Sequence, residues 1–315
     1  MTPDTPGTGS SHLTPVRTDV SIPSGSGALA GWLYLPTDAR EPLPVVVMAH
    51  GLGAVKEMRL DAYADRFAAS GYAVVVFDYR HFGSSTGQPR QLLTIQNQLQ
   101  DWRTALTWVR SDERFDADRI ALWGTSFGGG HVIRIAAEDH GVAAVIAQCP
   151  FTDGWASTRA VGLISSAKVV ALGLRDRLAA RCGKPPVMIA SAGPRHAAAL
   201  MAGPGCESGY LALGSSAPAF RNQVAARFGL TISHYRPGTL TSRVTAPVLF
   251  GICDPDTVAP ASATRRHAAR APHGEVREYQ CGHFDIYFDD WFERAVADDL
   301  EFLGRHVPVT ASSPR

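Results

Sequence analysis

Two hydrophobic periods alternate along the chain. Val45 to Ala49 and Ala73 to Phe77 are unbroken apolar runs of strand length. Between them, Leu60 to Ala69 sets Leu60, Tyr63, Ala64 and Phe67 on one face of a helix. The alternation continues with an amphipathic helix from Ile95 to Arg110 and a strand from Arg119 to Trp123. A helix from Phe127 to Ala137 and a strand from Val142 to Ala147 follow. Apolar strands separated by helices predict a parallel sheet covered on both faces, because a strand with one solvated face would alternate with period two. Upstream, Asp19 to Leu35 holds two β-like stretches around the turn from Pro23 to Gly27, which predicts a hairpin.

The pattern breaks after Pro150. From there to about Val244 the chain is rich in Ala, Gly and Ser, with a helical piece from Lys168 to Arg181 and Pro-Gly punctuation at 184–186, 193–194 and 203–205. Strand character returns at Pro247 to Ile252 and Val276 to Tyr279, and a last helix runs from Trp291 to Leu303. About 90 residues is too long for a loop within a compact domain, so the segment reads as an inserted, largely helical cap. The expected organisation is a tail at 1–17, a core at 18–150 and 244–307, the cap at 151–243 and a tail at 308–315.

Composition narrows the function classes. The 315 residues carry a net charge of +1, which gives no clustered basic excess for nucleic acid. The longest apolar run, Val161 to Leu174, is interrupted by Ser165, Ser166 and Lys168 and is too short to span a bilayer, so no membrane partner is expected. Met1 to Pro15 lacks the cationic and apolar stretches of an export signal. Five cysteines, an odd number without CxxC spacing, point to reduced thiols in the cytoplasm and to no metal site.

Ile120 to Gly130 reads strand, sharp turn, helix, with Gly124-Thr-Ser126-Phe-Gly128 at the turn. A serine lifted above a sheet on a strained turn needs neighbours without side chains, so that strand and helix can approach. Ser126 is therefore the candidate nucleophile. In this arrangement the acid and then the histidine follow in chain order. Asp254 and Asp256 both follow the strand ending at Ile252. Asp256 is favoured because an apolar pair and a proline come after it, and Asp254 remains the competitor. His283, in the Cys281-Gly-His-Phe284 loop after the last strand, is the candidate base. The backbone amides of Phe127, next to the serine, and of Leu52, in the His50-Gly-Leu-Gly53 loop, are the candidate oxyanion donors. His50 precedes the nucleophile and reads as structural, and His131 and His267 fall on helices.

With His50-Gly51, Asp78-Tyr-Arg80-His-Phe-Gly83-Ser-Ser85, Gly124 to Gly128, Asp256 and Gly282-His283, the chain resembles the α/β-hydrolase superfamily from Asp19 to Val307. The family's frequent D-x-R-G-x-G-x-S segment is present with His81 where glycine is usual, and the resemblance implies a structural loop there. The run from Met48-Ala-His-Gly to Asp78-Tyr-Arg-His-Phe-Gly is similar to the dienelactone-hydrolase-like group, which includes polyketide transferase-like and thioesterase-like proteins. True dienelactone hydrolases use cysteine as nucleophile, a departure at Ser126.

The expected activity is hydrolysis of a small-molecule carboxylic ester or thioester through an acyl-serine, with no cofactor. Acyl transfer within a biosynthetic pathway and serine peptidase activity are the alternatives. Leu163, Ile164, Val169, Leu172, Met188 and Met201 are candidate pocket residues in the cap.

Overall fold

The computed structural model describes residues 15–37 and 42–309. The expected tails therefore lie outside the described residues, apart from 15–17 and 308–309. The elements in chain order begin with β1 (Val16–Ser24), β2 (Gly27–Leu35), β3 (Leu43–Ala49), α1 (Leu60–Ala69), β4 (Ala73–Phe77) and α2 (Ile95–Arg110). Next come β5 (Phe115–Thr125), α3 (Phe127–Ala136), β6 (Ala144–Gln148), α4 (Gly154–Val161) and α5 (Leu163–Arg181). The remainder is β7 (Met188–Ala192), β8 (Ala199–Met201), α6 (Cys206–Leu213), β9 (Val224–Ala225), β10 (Val248–Cys253), α7 (Ala261–Ala268), β11 (Gly274–Tyr279) and α8 (Asp289–His306). Three short 3-10 turns lie between β9 and β10 and a fourth between β11 and α8.

Eight strands form the central sheet in the order β1-β2-β4-β3-β5-β6-β10-β11. From β4 to β11 every pairing is parallel, and the β1–β2 hairpin closes one edge antiparallel. Every residue of β3, β4, β6 and β10 is buried, as a sheet covered by helices on both faces requires. The edge strands are more open: β1 is mostly exposed, and β11 alternates between exposed and half-buried residues. The chain steps from β3 out to β4 and then crosses back to β5. Strand order thus reverses between β3 and β5, where α/β sheets open a crevice at their carboxyl ends. Both Ser126 and Leu52 lie at that edge.

Helix α8 covers one face by burying Phe292, Ala295, Val296, Asp299, Phe302 and Leu303 at helical spacing. Thr94 starts α2 by accepting a hydrogen bond from the Asn97 amide at 3.2 Å.

Residues 151–243 contribute no strand to the central sheet. They hold α4 to α6 and, unlike the helical cap expected, a second sheet in the order β8-β7-β9. Its strands are two to five residues long and mostly Ala, Ser and Met, too short and too small to write a period. Among the described residues no single helix is long and apolar enough to cross a membrane. Only α4 and α5 together reach the length and hydropathy, and they are bent by 110° at their junction.

Candidate active site

The turn that carries Ser126 is held by close backbone packing. Ser126 sits at φ 55°, ψ −118°, a conformation costly for any residue with a side chain and sustained only by its surroundings. A Cβ at Gly124 would meet the Gly128 carbonyl oxygen at 2.3 Å, and one at Gly128 would meet that of His50 at 2.5 Å. Strand β5, helix α3 and the loop after β3 therefore converge at distances only glycine allows. Below the turn, Trp123 donates to Asp299 of α8 at 2.9 Å, and the Thr125 hydroxyl bonds the Tyr287 hydroxyl.

Two loops bring the other groups to the serine. His283 Nε2 is 3.0 Å from Ser126 Oγ, and His283 Nδ1 is 2.7 Å from Asp256 Oδ2. The second carboxylate oxygen of Asp256 accepts from the amides of Val258 and Ala259 at 2.8 and 2.7 Å, which fixes the acid's orientation. Asp254, the competing acid, turns away to an ion pair with Arg265 at 2.7 Å on the half-exposed surface. Burial pushes the pKa of His283 down, but the charge and hydrogen bond of Asp256, together with the neighbouring Cys149 sulfur, outweigh it, so it stands well above the ordinary 6.5.

Phe127 opens α3 and Leu52 lies in the loop after β3, and both border the cavity at Ser126. A Cβ added at Gly51 would fall 2.9 Å from that of Ser126, so this loop runs directly against the serine. Residues 151–243 help to hold it there, because the hydroxyl of Tyr210 on α6 donates to the Leu52 carbonyl at 2.7 Å. Nothing in the sequence pattern singled out Tyr210. His50 is fully engaged in the same loop. Its Nδ1 accepts from the Gly51 amide at 2.7 Å and its Nε2 donates to Met58 O at 2.8 Å, while burial lowers its pKa to about 4. It is a neutral structural residue, as the sequence order implied. His131 likewise bridges Gln98 of α2 and Tyr235 of the cap at 2.9 and 2.8 Å, and burial lowers its pKa to about 3.

The Asp78 to Ser85 loop supports the neighbouring backbone. Asp78 accepts from the amide and Nζ of Lys56 at 2.7 and 2.8 Å, and Arg80 pairs with Asp101 at 2.6 Å. His81 adopts φ 72°, the left-handed region, which gives the physical reason for glycine being usual there.

A cavity of about 320 Å³ opens over Ser126 and is lined mainly by apolar side chains. Phe127 lines it from α3, and Phe151, Trp155, Val161, Val169 and Met201 line it from residues 151–243. Of the six candidate pocket residues, Val169 and Met201 lie on the cavity. Leu163 and Ile164 are exposed on the surface, Leu172 packs against the core, and Met188 belongs to β7. No group of three or more His, Cys, Asp or Glu able to hold a metal exists among the described residues.

A mostly parallel sheet delivers a serine from the β5 crossover, then an aspartate and a histidine from the loops after its last two strands. That chain order and topology define an α/β-hydrolase. The chain belongs to the X-Pro dipeptidyl-peptidase (S15) family, whose model matches residues 27–201, just over half of it. The quorum-quenching protein AidA of Acinetobacter baumannii is 50% identical over 92% of this chain and 95% of its own. Thiohydrolase aneE of Aspergillus aculeatus is 38% identical over 40% of this chain and 38% of its own. The solved structure of DcsB in complex with its substrate analogue has a TM-score of 0.81 and 26% identity, covering 93% of this chain and 99% of that one.

Proposed function

We propose that this protein cleaves the carboxylic ester or thioester of a small acyl compound, cyclic esters included, through an acyl-Ser126 intermediate. The observation that carries the reading is the hydrogen-bonded run Ser126–His283–Asp256, at 3.0 and 2.7 Å, with Ser126 lining an apolar cavity. His283 takes the hydroxyl proton as Ser126 Oγ attacks the carbonyl carbon, and Asp256 stabilises the imidazolium that forms. The amides of Phe127 and Leu52 stabilise the tetrahedral oxyanion. His283 then gives its proton to the leaving alcohol or thiol, and water, deprotonated by the same histidine, releases the acid. No cofactor takes part in these steps.

The cavity lining favours an ester over an X-Pro peptide. A dipeptidyl peptidase must hold a free ammonium group, which calls for a carboxylate, and no Asp or Glu lines this cavity. The thiohydrolase relative supports thioester chemistry, and the quorum-quenching relative supports a small diffusible signal as substrate. Residues 151–243 act as the cap that selects the acyl group, a division supported by the central strands all lying outside them. A cytoplasmic location rests on the odd number of cysteines.

Turnover of p-nitrophenyl esters and acyl-thioesters of graded chain length tests the reading, with Ser126→Ala as control. Each methylene that enters the cavity should raise kcat/KM about fourfold, from ~0.8 kcal/mol of burial, until the cavity is full. Absence of turnover on both series, with the fold intact, overturns it. Product analysis with an added alcohol separates hydrolysis from the acyl transfer that the same intermediate permits.

A further inference from the structure

Helix α5 carries a row of apolar side chains on its outward face. Its inward face is Ser165, Val169, Gly173 and Asp176, while Leu163, Leu174 and Leu178 are 89%, 56% and 62% exposed. At 100° per residue these leucines fall with Ala167 and Val170 in one outward stripe, opposite the buried residues. Exposed Ile164 lies at its edge and half-exposed Trp155 stands on the preceding helix α4. An apolar stripe of this length facing water marks an interaction surface.

The charges around the stripe say what covers it. Between residues 154 and 187 the chain carries Arg159, Lys168, Arg175, Arg177, Arg181 and Lys184 against a single acid, Asp176. That acid is fully buried, paired with Arg227 at 2.6 Å and bonded to the amides of Val187 and Arg227. On the helical wheel Lys168 and Arg175 flank the leucines on one side and Arg177 on the other, with Arg181 at the end. The protein as a whole is nearly neutral, so this concentration of cations belongs to the cap face. Leucines bordered by cations on a surface helix, with a tryptophan at the margin, match an anionic lipid headgroup layer over acyl chains. A second copy fits less well. A two-fold pairing would set these cations against their own copies with no exposed acid in the segment to answer them.

We propose that the outward face of α5 docks on an anionic bilayer surface. The stripe also adjoins the cavity, since Val170 is exposed on the stripe and lines the space above Ser126, and Trp155 does the same on α4. A docked cap thus sets the mouth of the cavity at the lipid interface, where amphiphilic acyl compounds concentrate. Such a contact needs no spanning segment, the feature on which the expectation of no membrane partner rested.

Co-sedimentation of the full chain with phosphatidylcholine vesicles containing about one-third phosphatidylglycerol tests this directly. The wild type should pellet with these vesicles, pellet far less with pure phosphatidylcholine, and be released by high salt. Leu163→Ser with Leu174→Ser and Leu178→Ser should abolish pelleting. Lys168→Gln with Arg177→Gln should weaken it about fivefold or more for each lost cation. None of these side chains lines the cavity, so ester turnover in free solution should be unchanged and serves as the check on folding. No pelleting of the wild type, or equal pelleting of the leucine variant, overturns the proposal. So does a wild-type dimer in sedimentation velocity that the leucine variant dissolves while vesicles bind neither. The readout is lipid binding, so it fails or holds independently of the esterase reading.

Discussion

At the scale of single residues the site turns on which group His283 faces. Its Nδ1 lies against Asp256, and that charge holds its pKa above the usual imidazole value. Catalysis needs the neutral histidine, so kcat/KM should rise with pH along a limb above pH ~6.5. Asp256→Asn should move that limb to lower pH and cost on the order of 10³–10⁴-fold in kcat. Asp254→Asn breaks only a half-exposed ion pair with Arg265 and should leave kcat within about twofold. A pH–rate series on both variants checks this, and a larger loss in the Asp254 variant would reverse the assignment. The two acids are two residues apart and share a loop, so local sequence could rank them but not separate them. What separates them is contact with Arg265 on α7 and with His283 beyond β11, which only the fold brings near. Ser126 was legible because its turn needs Gly124 and Gly128 in the chain itself. Tyr210 was not, because its bond to Leu52 spans 158 positions.

Among elements, the contact between β5 and α8 has a pH signature. Asp299 is buried under the sheet, accepts from Trp123, and burial raises its pKa to about 7. The folded protein therefore keeps a proton that the unfolded chain releases near pH ~3.9. Stability from this group is present below that value and is lost as pH rises toward 7. Asp299→Asn keeps an acceptor for Trp123 without the buried charge. We expect it to stabilise the fold by on the order of 2–4 kcal/mol at pH 8 and little at pH 4, read as a Tm difference that grows with pH. An equal Tm shift at both pH values would contradict the linkage. In the cap, Asp176 joins α5 to Val187 and Arg227 with its carboxylate fully buried. Asp176→Ala leaves Arg227 without its partner and should destabilise the cap by about 3–5 kcal/mol. We expect altered chain-length selectivity while Ser126 still reacts with small esters. Loss of all reactivity in a folded Asp176 variant would mean that the core depends on the cap.

For the whole molecule, sheet and cap differ in how openly the sequence writes them. Strands β3, β4, β6 and β10 are buried on both faces, and two-sided burial leaves an unbroken apolar run that reads as a strand without any context. Within residues 151–243, one helix face departs from the usual code. Helix α5 buries Ser165, Gly173 and Asp176 and exposes Leu163, Leu174 and Leu178, so an inside-out reading of hydrophobicity assigns Leu163 and Ile164 to the pocket and misses Trp155. On the proposed function, substrate choice lies in that part, whereas the chemistry lies in the sheet. The most direct test of the chemistry is covalent labelling by a fluorophosphonate with the modified peptide mapped by mass spectrometry. We expect a single adduct on Ser126, absent in Ser126→Ala and strongly slowed in His283→Ala. A folded wild type that takes no label, or takes it on another residue, contradicts an acyl-serine mechanism at this site.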